Sequence, residues 1–190
     1  MKNDHQQELI NFLKDIDQHL QEMRLQSKVN LFVFGGAAAV LGYRMPRGTM
    51  DLDVHLKQNE IELELIAWAG QGSDLEKKHG LYLQSANTTL MAIDPDWMAR
   101  SKEILKDTFK ILKVRVLSKE DLIISKLSRY NNRDRADIQF LTENHKVDQK
   151  KLLKYYRSAR SYYVGDLRTL DTAFNIILKE HFEMKTETFE

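Results

Sequence analysis

The chain has 190 residues, about one domain or one domain with a helical extension, and with 42% hydrophobic residues global disorder is excluded. Lys and Arg number 29 against 28 Asp and Glu, so the protein is not basic overall; the absence of cysteine excludes a disulfide scaffold, a thiol nucleophile, zinc fingers and iron–sulfur ligation. The opening MKNDHQQELI has no apolar signal region, and no stretch approaches about eighteen apolar residues, so the expectation is a soluble, cytoplasmic protein with no membrane partner.

In chain order, Leu9, Ile10, Phe12, Leu13, Ile16, Leu20 and Met23 recur at helical spacing and predict a helix over 5–26. Val29 to Phe34 reads as a buried strand that ends at Gly35-Gly36, and Ala37 to Leu41 as a short apolar helix. A turn-like stretch over 42–50 leads into Asp51-Leu52-Asp53-Val54-His55-Leu56, whose strict alternation predicts a strand. Helices are expected at 60–69 and 74–79 and a strand at 81–84, while 85–98 stays ambiguous. Phe109 to Leu117 reads as a further strand. Ser118 is an N-cap followed by Glu120 and Asp121, acids that favour the positive end of a helix running to about Tyr130. Helices at 133–144, 148–160 and 167–183 complete the chain. The fold expected is α/β (α+β): a small mixed sheet flanked by helices, with a C-terminal helical extension. The division expected is an N-terminal helix over 1–26 packed on a core of 27–117, and a helical region of 118–190 forming one compact unit with that core.

Charge is unevenly spread. Residues 100–168 hold 18 Lys and Arg against 9 Asp and Glu, and the remainder is acidic. Such asymmetry suits a site that handles a polyanion alongside cations, although helical surfaces are charge-rich on their own account.

Two features carry chemistry. The Gly35-Gly36 pair, at a strand–helix junction, allows tight backbone approach and leaves helix N–H groups open to an anion such as phosphate. Glycines also end strands for steric reasons alone, and neither a Rossmann fingerprint nor a P-loop is present. The second feature is Asp51-Leu52-Asp53: residues two apart on a strand share a face, so the carboxylates align roughly 6.6 Å apart along the backbone while Leu52, Val54 and Leu56 take the buried side. Aligned carboxylates suit a hard cation such as Mg²⁺. His55 continues that face, where solvent exposure explains it better than ligation does. A glycine pair closing one strand and Asp-x-Asp on the next would set a phosphate cradle beside a metal site, the combination phosphoryl and nucleotidyl transfer need.

The run Val33-Phe34-Gly35-Gly36 through Arg47-Gly48-Thr49-Met50-Asp51-Leu52-Asp53 resembles the signature of the DNA-polymerase-β-like nucleotidyltransferase superfamily. Arg-x-Thr ahead of the Asp pair is similar to a small bacterial branch, the AbiEii-type toxins of type IV toxin–antitoxin systems. Leu117-Ser118-Lys119-Glu120-Asp121-Leu122, Lys126-Leu127 and Arg133-Asp134-Arg135-Ala136-Asp137 extend the likeness, which spans roughly residues 28–141. The resemblance implies that Gly35, Gly36, Arg47, Thr49 and Lys126 bind the nucleotide. Asp51 and Asp53 would hold Mg²⁺, for which Mn²⁺ can stand in, and with Lys126 and Asp137 they would form the catalytic set. Asp137 would orient or deprotonate an acceptor hydroxyl. The partners implied are a nucleoside triphosphate, an RNA (tRNA) or protein acceptor and a cognate antitoxin.

The chain departs from the superfamily at one point: a later strand there carries a third carboxylate, whereas Phe109 to Leu117 carries no acid. Asp137, Asp94 or Asp96 takes that place, or the protein is a catalytically silent, antitoxin-like binding module. For Lys126 the alternative is a surface lysine, since Leu122, Ile123 and Leu127 already supply an apolar helix face. For Arg133, Asp134 and Asp137 it is capping and local ion pairing. In the tail, Tyr155, Tyr156, Arg157, Arg160, Tyr162 and Tyr163 could stack on RNA; packing on the domain is the favoured reading.

Overall fold

The computed structural model describes residues 4–25 and 27–189; residues 1–3, Gln26 and Glu190, which fall in the segments read as 1–26 and 118–190, lie outside the described residues. The chain divides into two compact units, Met1–Ala86 with Ser101–Leu117, and Asn87–Arg100 with Ser118–Glu190.

The first unit holds α1 (Asp4–Glu22), β1 (Val29–Val33), α2 (Gly35–Tyr43), β2 (Asp51–His55), α3 (Asn59–Ala69), α4 (Asp74–His79), β3 (Tyr82–Ser85), β4 (Lys102–Glu103) and β5 (Leu112–Val116). The strands form one mixed sheet in the order β3-β2-β1-β5-β4, with β1/β5 and β2/β3 parallel and β1/β2 and β4/β5 antiparallel. Its alternation sorts the side chains by face. Leu31, Val33, Leu52, Val54, Leu83, Val114 and Val116 share a buried face, while Asn30, Asp51, Asp53, His55, Tyr82, Gln84, Lys113 and Arg115 share a half-exposed one. Helix α2 packs on β2 and β5, where Gly42 lies so close to Val116 that a side-chain carbon would come within 2.7 Å of it. Along α1, Leu9, Phe12, Leu13, Ile16 and Leu20 are buried as their spacing predicts.

The mixed α/β class expected from the sequence is the class observed. In the first unit three elements differ from the expectation by more than one residue, each for a physical reason. Helix α1 stops at Glu22, before 26, because Arg24 takes a left-handed backbone (φ 54). Helix α2 runs past Leu41 to Tyr43 and ends at Arg44, again left-handed (φ 58); the Arg44 N–H turns back to the Val40 carbonyl and the Met45 N–H to that of Ala39. Strand β5 begins at Leu112 instead of Phe109 because the Asp17 carboxylate of α1 captures the chain there. It accepts from the N–H groups of Lys110 (2.9 Å), Ile111 (2.7 Å) and Leu112 (2.8 Å), and from Gln21 Nε2 (3.0 Å).

The second unit holds α5 (Trp97–Arg100), α6 (Lys119–Ser125), α7 (Asn132–Asn144), α8 (Gln149–Tyr162) and α9 (Leu167–Phe182). Ser118 caps α6 as expected: its hydroxyl accepts from the N–H of Asp121 and donates to that residue's carboxylate at 2.6 Å. The helix stops at Ser125, short of Tyr130. The Ser125 and Ser128 hydroxyls take up the carbonyls of Leu122 and Ser125, the following bonds tighten to i→i−3, and Tyr130 turns left-handed (φ 41). In the tail, packing is seen for Tyr156, which is buried and stacks on Phe174 at 3.6 Å, and for Tyr155, which carries the Arg100 guanidinium 3.9 Å above its ring, whereas Tyr162 is exposed. No described helix is long and apolar enough to cross a membrane.

Asp17 is 5% exposed, so removing its carboxylate strands three backbone donors at once, while Gln21 keeps the Asp17 carbonyl. Asp17→Ala should lower the free energy of unfolding by about 3 kcal/mol in urea titrations at pH 7. A loss below about 1 kcal/mol would show that the entry to β5 is held by something else.

Candidate active site

The half-exposed face of β2, the start of α2 and the loop ahead of β2 bring together six of the residues singled out from the sequence. Gly35, the first residue of α2, adopts φ +58, a conformation costly for any residue with a side chain. It also has no room for one, because a side-chain carbon there would overlap Asp53 Oδ2. At Gly36 the same carbon would sit 3.2 Å from Thr49 Oγ1 and 3.4 Å from Arg47 Nη2. The glycine pair therefore lets the start of α2 lie directly against the Asp pair and its upstream loop. That helix start has no side-chain cap, so its first turn is presented without a competing acceptor from Phe34.

Asp51 and Asp53 point to the same face, as the alternation of β2 predicts, and each is half-buried. Thr49 donates its hydroxyl to Asp51 Oδ1 at 2.7 Å and lies 3.2 Å from the Asp51 carbonyl. Arg47 directs its Nε to the sulfur of Met45 at 3.3 Å, which leaves the guanidinium end beside Gly36. His55 turns toward Glu62, 3.7 Å away. The residue that sequence reasoning missed is Gln84. It lies opposite Asp53 in the parallel register of β3 with β2, and its amide nitrogen is 2.6 Å from Asp53 Oδ1 and 3.4 Å from Asp51 Oδ2. Only pairing places it there; the sole signal in the sequence is its position on the strand expected at 81–84.

The cluster offers hard oxygen donors from two carboxylates that converge on one point, an uncapped helix start and a guanidinium. Those groups suit a divalent cation and a phosphate. Among the described residues no group of three or more His, Asp or Glu side chains is arranged to share a metal ion.

Lys126 and Asp137 belong to the second unit, where they meet each other. Lys126 Nζ donates to Asp137 Oδ2 at 2.6 Å and lies 3.6 Å from Asp134 Oδ1, with Lys126 only 2% exposed and Asp137 fully buried. The surface-lysine alternative is thereby wrong: the lysine stem and tip are both interior. Asp134 adds an ion pair with Arg129 at 3.3 Å and caps onto Asn131 through its own N–H. Asp94 and Asp96 also lie in the second unit. Asp94 pairs with Arg100 at 2.6 Å, and Arg100 in turn grips Asp121 through two bonds of 3.0 and 2.6 Å. Burial pushes the Asp94 carboxyl up, but hydrogen bonds from Ser158, Arg100 and the Asp96 N–H outweigh it and hold the group below its ordinary value. Asp96 is exposed.

A family model described as "nucleotidyltransferase of unknown function" (DUF6036) matches residues 11–187. No curated protein and no solved structure matches the chain significantly.

Two stability measurements test this geometry. Gly35→Ala should cost about 2 kcal/mol from its backbone alone, and more if Asp53 cannot move, whereas Gly36→Ala should cost less than about 1 kcal/mol. Equal unfolding midpoints for the two variants would refute the Gly35–Asp53 contact. In the second unit, Lys126→Met should cost about 3–5 kcal/mol by leaving the Asp137 charge buried, and Lys126→Met with Asp137→Leu should recover most of that loss. A double variant as unstable as the single one would refute the pairing.

Proposed function

Because the chain belongs to the family of nucleotidyltransferases of unknown function (DUF6036), we propose that its Gly35–Asp53 site binds a nucleoside triphosphate and moves the nucleoside monophosphate to a hydroxyl of an RNA or a protein. The observation that carries this reading is the close packing of Gly35 on Asp53, with Asp51, Thr49 and Arg47 around it. A purely decorative acid on a strand needs no such glycine.

In this reading Asp51 and Asp53 would hold Mg²⁺ or Mn²⁺, and the metal when bound supplies charge neutralisation for the phosphates and the departing pyrophosphate. The acceptor oxygen forms a bond to the α-phosphorus, the bond between the α-phosphorus and the bridging oxygen breaks, and pyrophosphate leaves with its charge. The acceptor proton passes to a carboxylate or to water. Thr49 fixes the Asp51 carboxylate through its hydroxyl, so that this oxygen pair keeps one orientation. Gly36 and the start of α2 receive phosphate oxygens, and Arg47 offsets their charge. The likeness of Arg47-Gly48-Thr49 and the Asp pair to AbiEii-type toxins suggests the setting of a toxin–antitoxin or phage-defence pair, with a cognate antitoxin as partner.

One observation favours a second reading, a silent nucleotide-binding module: an amide, Gln84, and not a third carboxylate stands beside Asp53. Transfer separates the two. Incubation with α-labelled triphosphates, Mg²⁺ and total cellular RNA and protein should label one fraction and release pyrophosphate; a silent module releases none.

Asp51→Asn and Asp53→Asn should each leave the ligand-free melting temperature unchanged or slightly raised, because one of two like charges is removed. Both should abolish the thermal shift given by Mg²⁺ with triphosphate, since a site that cannot bind cannot stabilise by linkage. Melts that keep the wild-type shift in both variants would rule out this site for the activity.

A further inference from the structure

Strand β3 lies at the edge of the sheet, parallel to β2, with Tyr82 opposite Asp51 and Gln84 opposite Asp53. The Gln84 amide nitrogen reaches a carboxylate oxygen of each Asp, at 2.6 and 3.4 Å. A primary amide carries two hydrogens on that nitrogen, one for each acceptor, and the opposite amide orientation would set a carbonyl oxygen against two carboxylates. The partial positive charge of one neutral group therefore sits between two negative ones. That is where a bridging cation would place its own charge.

We propose that Gln84 is a positioning residue that stands in for the cation between Asp51 and Asp53, and so makes cation binding conditional on the triphosphate. The inference rests on the nucleotidyltransferase reading of this site. A cation entering alone must break two charge-assisted hydrogen bonds and gains only two carboxylates, because no described third acid joins them. A triphosphate brings further anionic oxygens, and with them the exchange of amide for cation becomes favourable. The free protein then holds the pair preorganised without a tightly bound metal, and the metal arrives with its nucleotide.

Manganese binding followed by the electron paramagnetic resonance of free Mn²⁺ tests this without turnover. The probes are Mn²⁺ alone and Mn²⁺ with an equimolar mixture of the four α,β-methylene ribonucleoside triphosphates, which cannot release pyrophosphate. The wild type should bind Mn²⁺ alone weakly and at least about 100-fold more tightly with the nucleotide mixture. Gln84→Glu should bind Mn²⁺ alone at least about tenfold more tightly than the wild type, and its depressed ligand-free melting temperature should rise on adding Mn²⁺. Gln84→Met, which keeps the length but cannot donate, should also tighten binding of Mn²⁺ alone and shrink the nucleotide dependence. Equal affinity for Mn²⁺ alone in the wild type and both folded Gln84 variants would overturn the proposal. Asp53→Asn separates the two failures. If it loses nucleotide-dependent Mn²⁺ binding while the Gln84 variants match the wild type, only the role of Gln84 falls. If it keeps that binding, the nucleotidyltransferase reading of the site falls with it.

Discussion

Two carboxylates two residues apart on one face of β2 repel each other, and their neighbours on the polar side of the first unit answer to that repulsion. At a separation of about 6 Å and an effective dielectric of about 20, the repulsion is roughly 3 kcal/mol, comparable with several ordinary hydrogen bonds. Thr49 spends its hydroxyl on Asp51, Gln84 divides its amide between both acids, and Gly35 gives up a side chain so that Asp53 can lie against the backbone. The buried side of the same strand provides the counterweight. Leu52 and Val54 are fully interior, so the strand cannot rotate its acids outward without exposing them.

Much of this was legible in the sequence because it is local. A period-two pattern states which residues share a face, and Asp51, Asp53 and Leu52 fall as that pattern requires. The Ser118 cap and the apolar stripe of α1 are equally short-range signals. What escaped notice depends on contacts between residues distant in the chain. Gln84 becomes a partner of the Asp pair only through the register of β3 with β2, 31 and 33 positions away. Asp17 shortens β5 from across 95 positions at its farthest. The burial of Lys126 was hidden because helical spacing assigns the apolar face to Leu122, Ile123 and Leu127. A lysine next to that face can still be drawn inside when Asp137 waits on another helix to receive it.

The basic stretch over 100–168 reads differently with partners in place. Arg100, Arg157 and Arg160 bind Asp94, Glu187 and Asp171, three acids that all lie outside that stretch in sequence. Part of the surplus is thus neutralised by folding and is not available to a polyanion. The arginines hold helices and the C-terminal segment together: Arg160 reaches both Asp171 and the Phe189 carbonyl, while Phe189 packs against Tyr156 and Phe174.

The parallel pairing of β1 with β5 has a bearing on how the protein is made. Val29 pairs with Leu112 and Val33 with Val116, so the central strand waits 83 residues for one of its two neighbours. During synthesis at about 5–20 residues per second, that delay lasts several seconds. Strand β1 can meet β2 early, across the connection that holds α2, but its other edge stays open with Leu31 and Val33 beside it. An open apolar edge of this kind is what holdase chaperones recognise and what drives misassembly when they are scarce. Expression at reduced temperature, or with such a chaperone supplied in excess, protects the interval between the emergence of β1 and the arrival of β5.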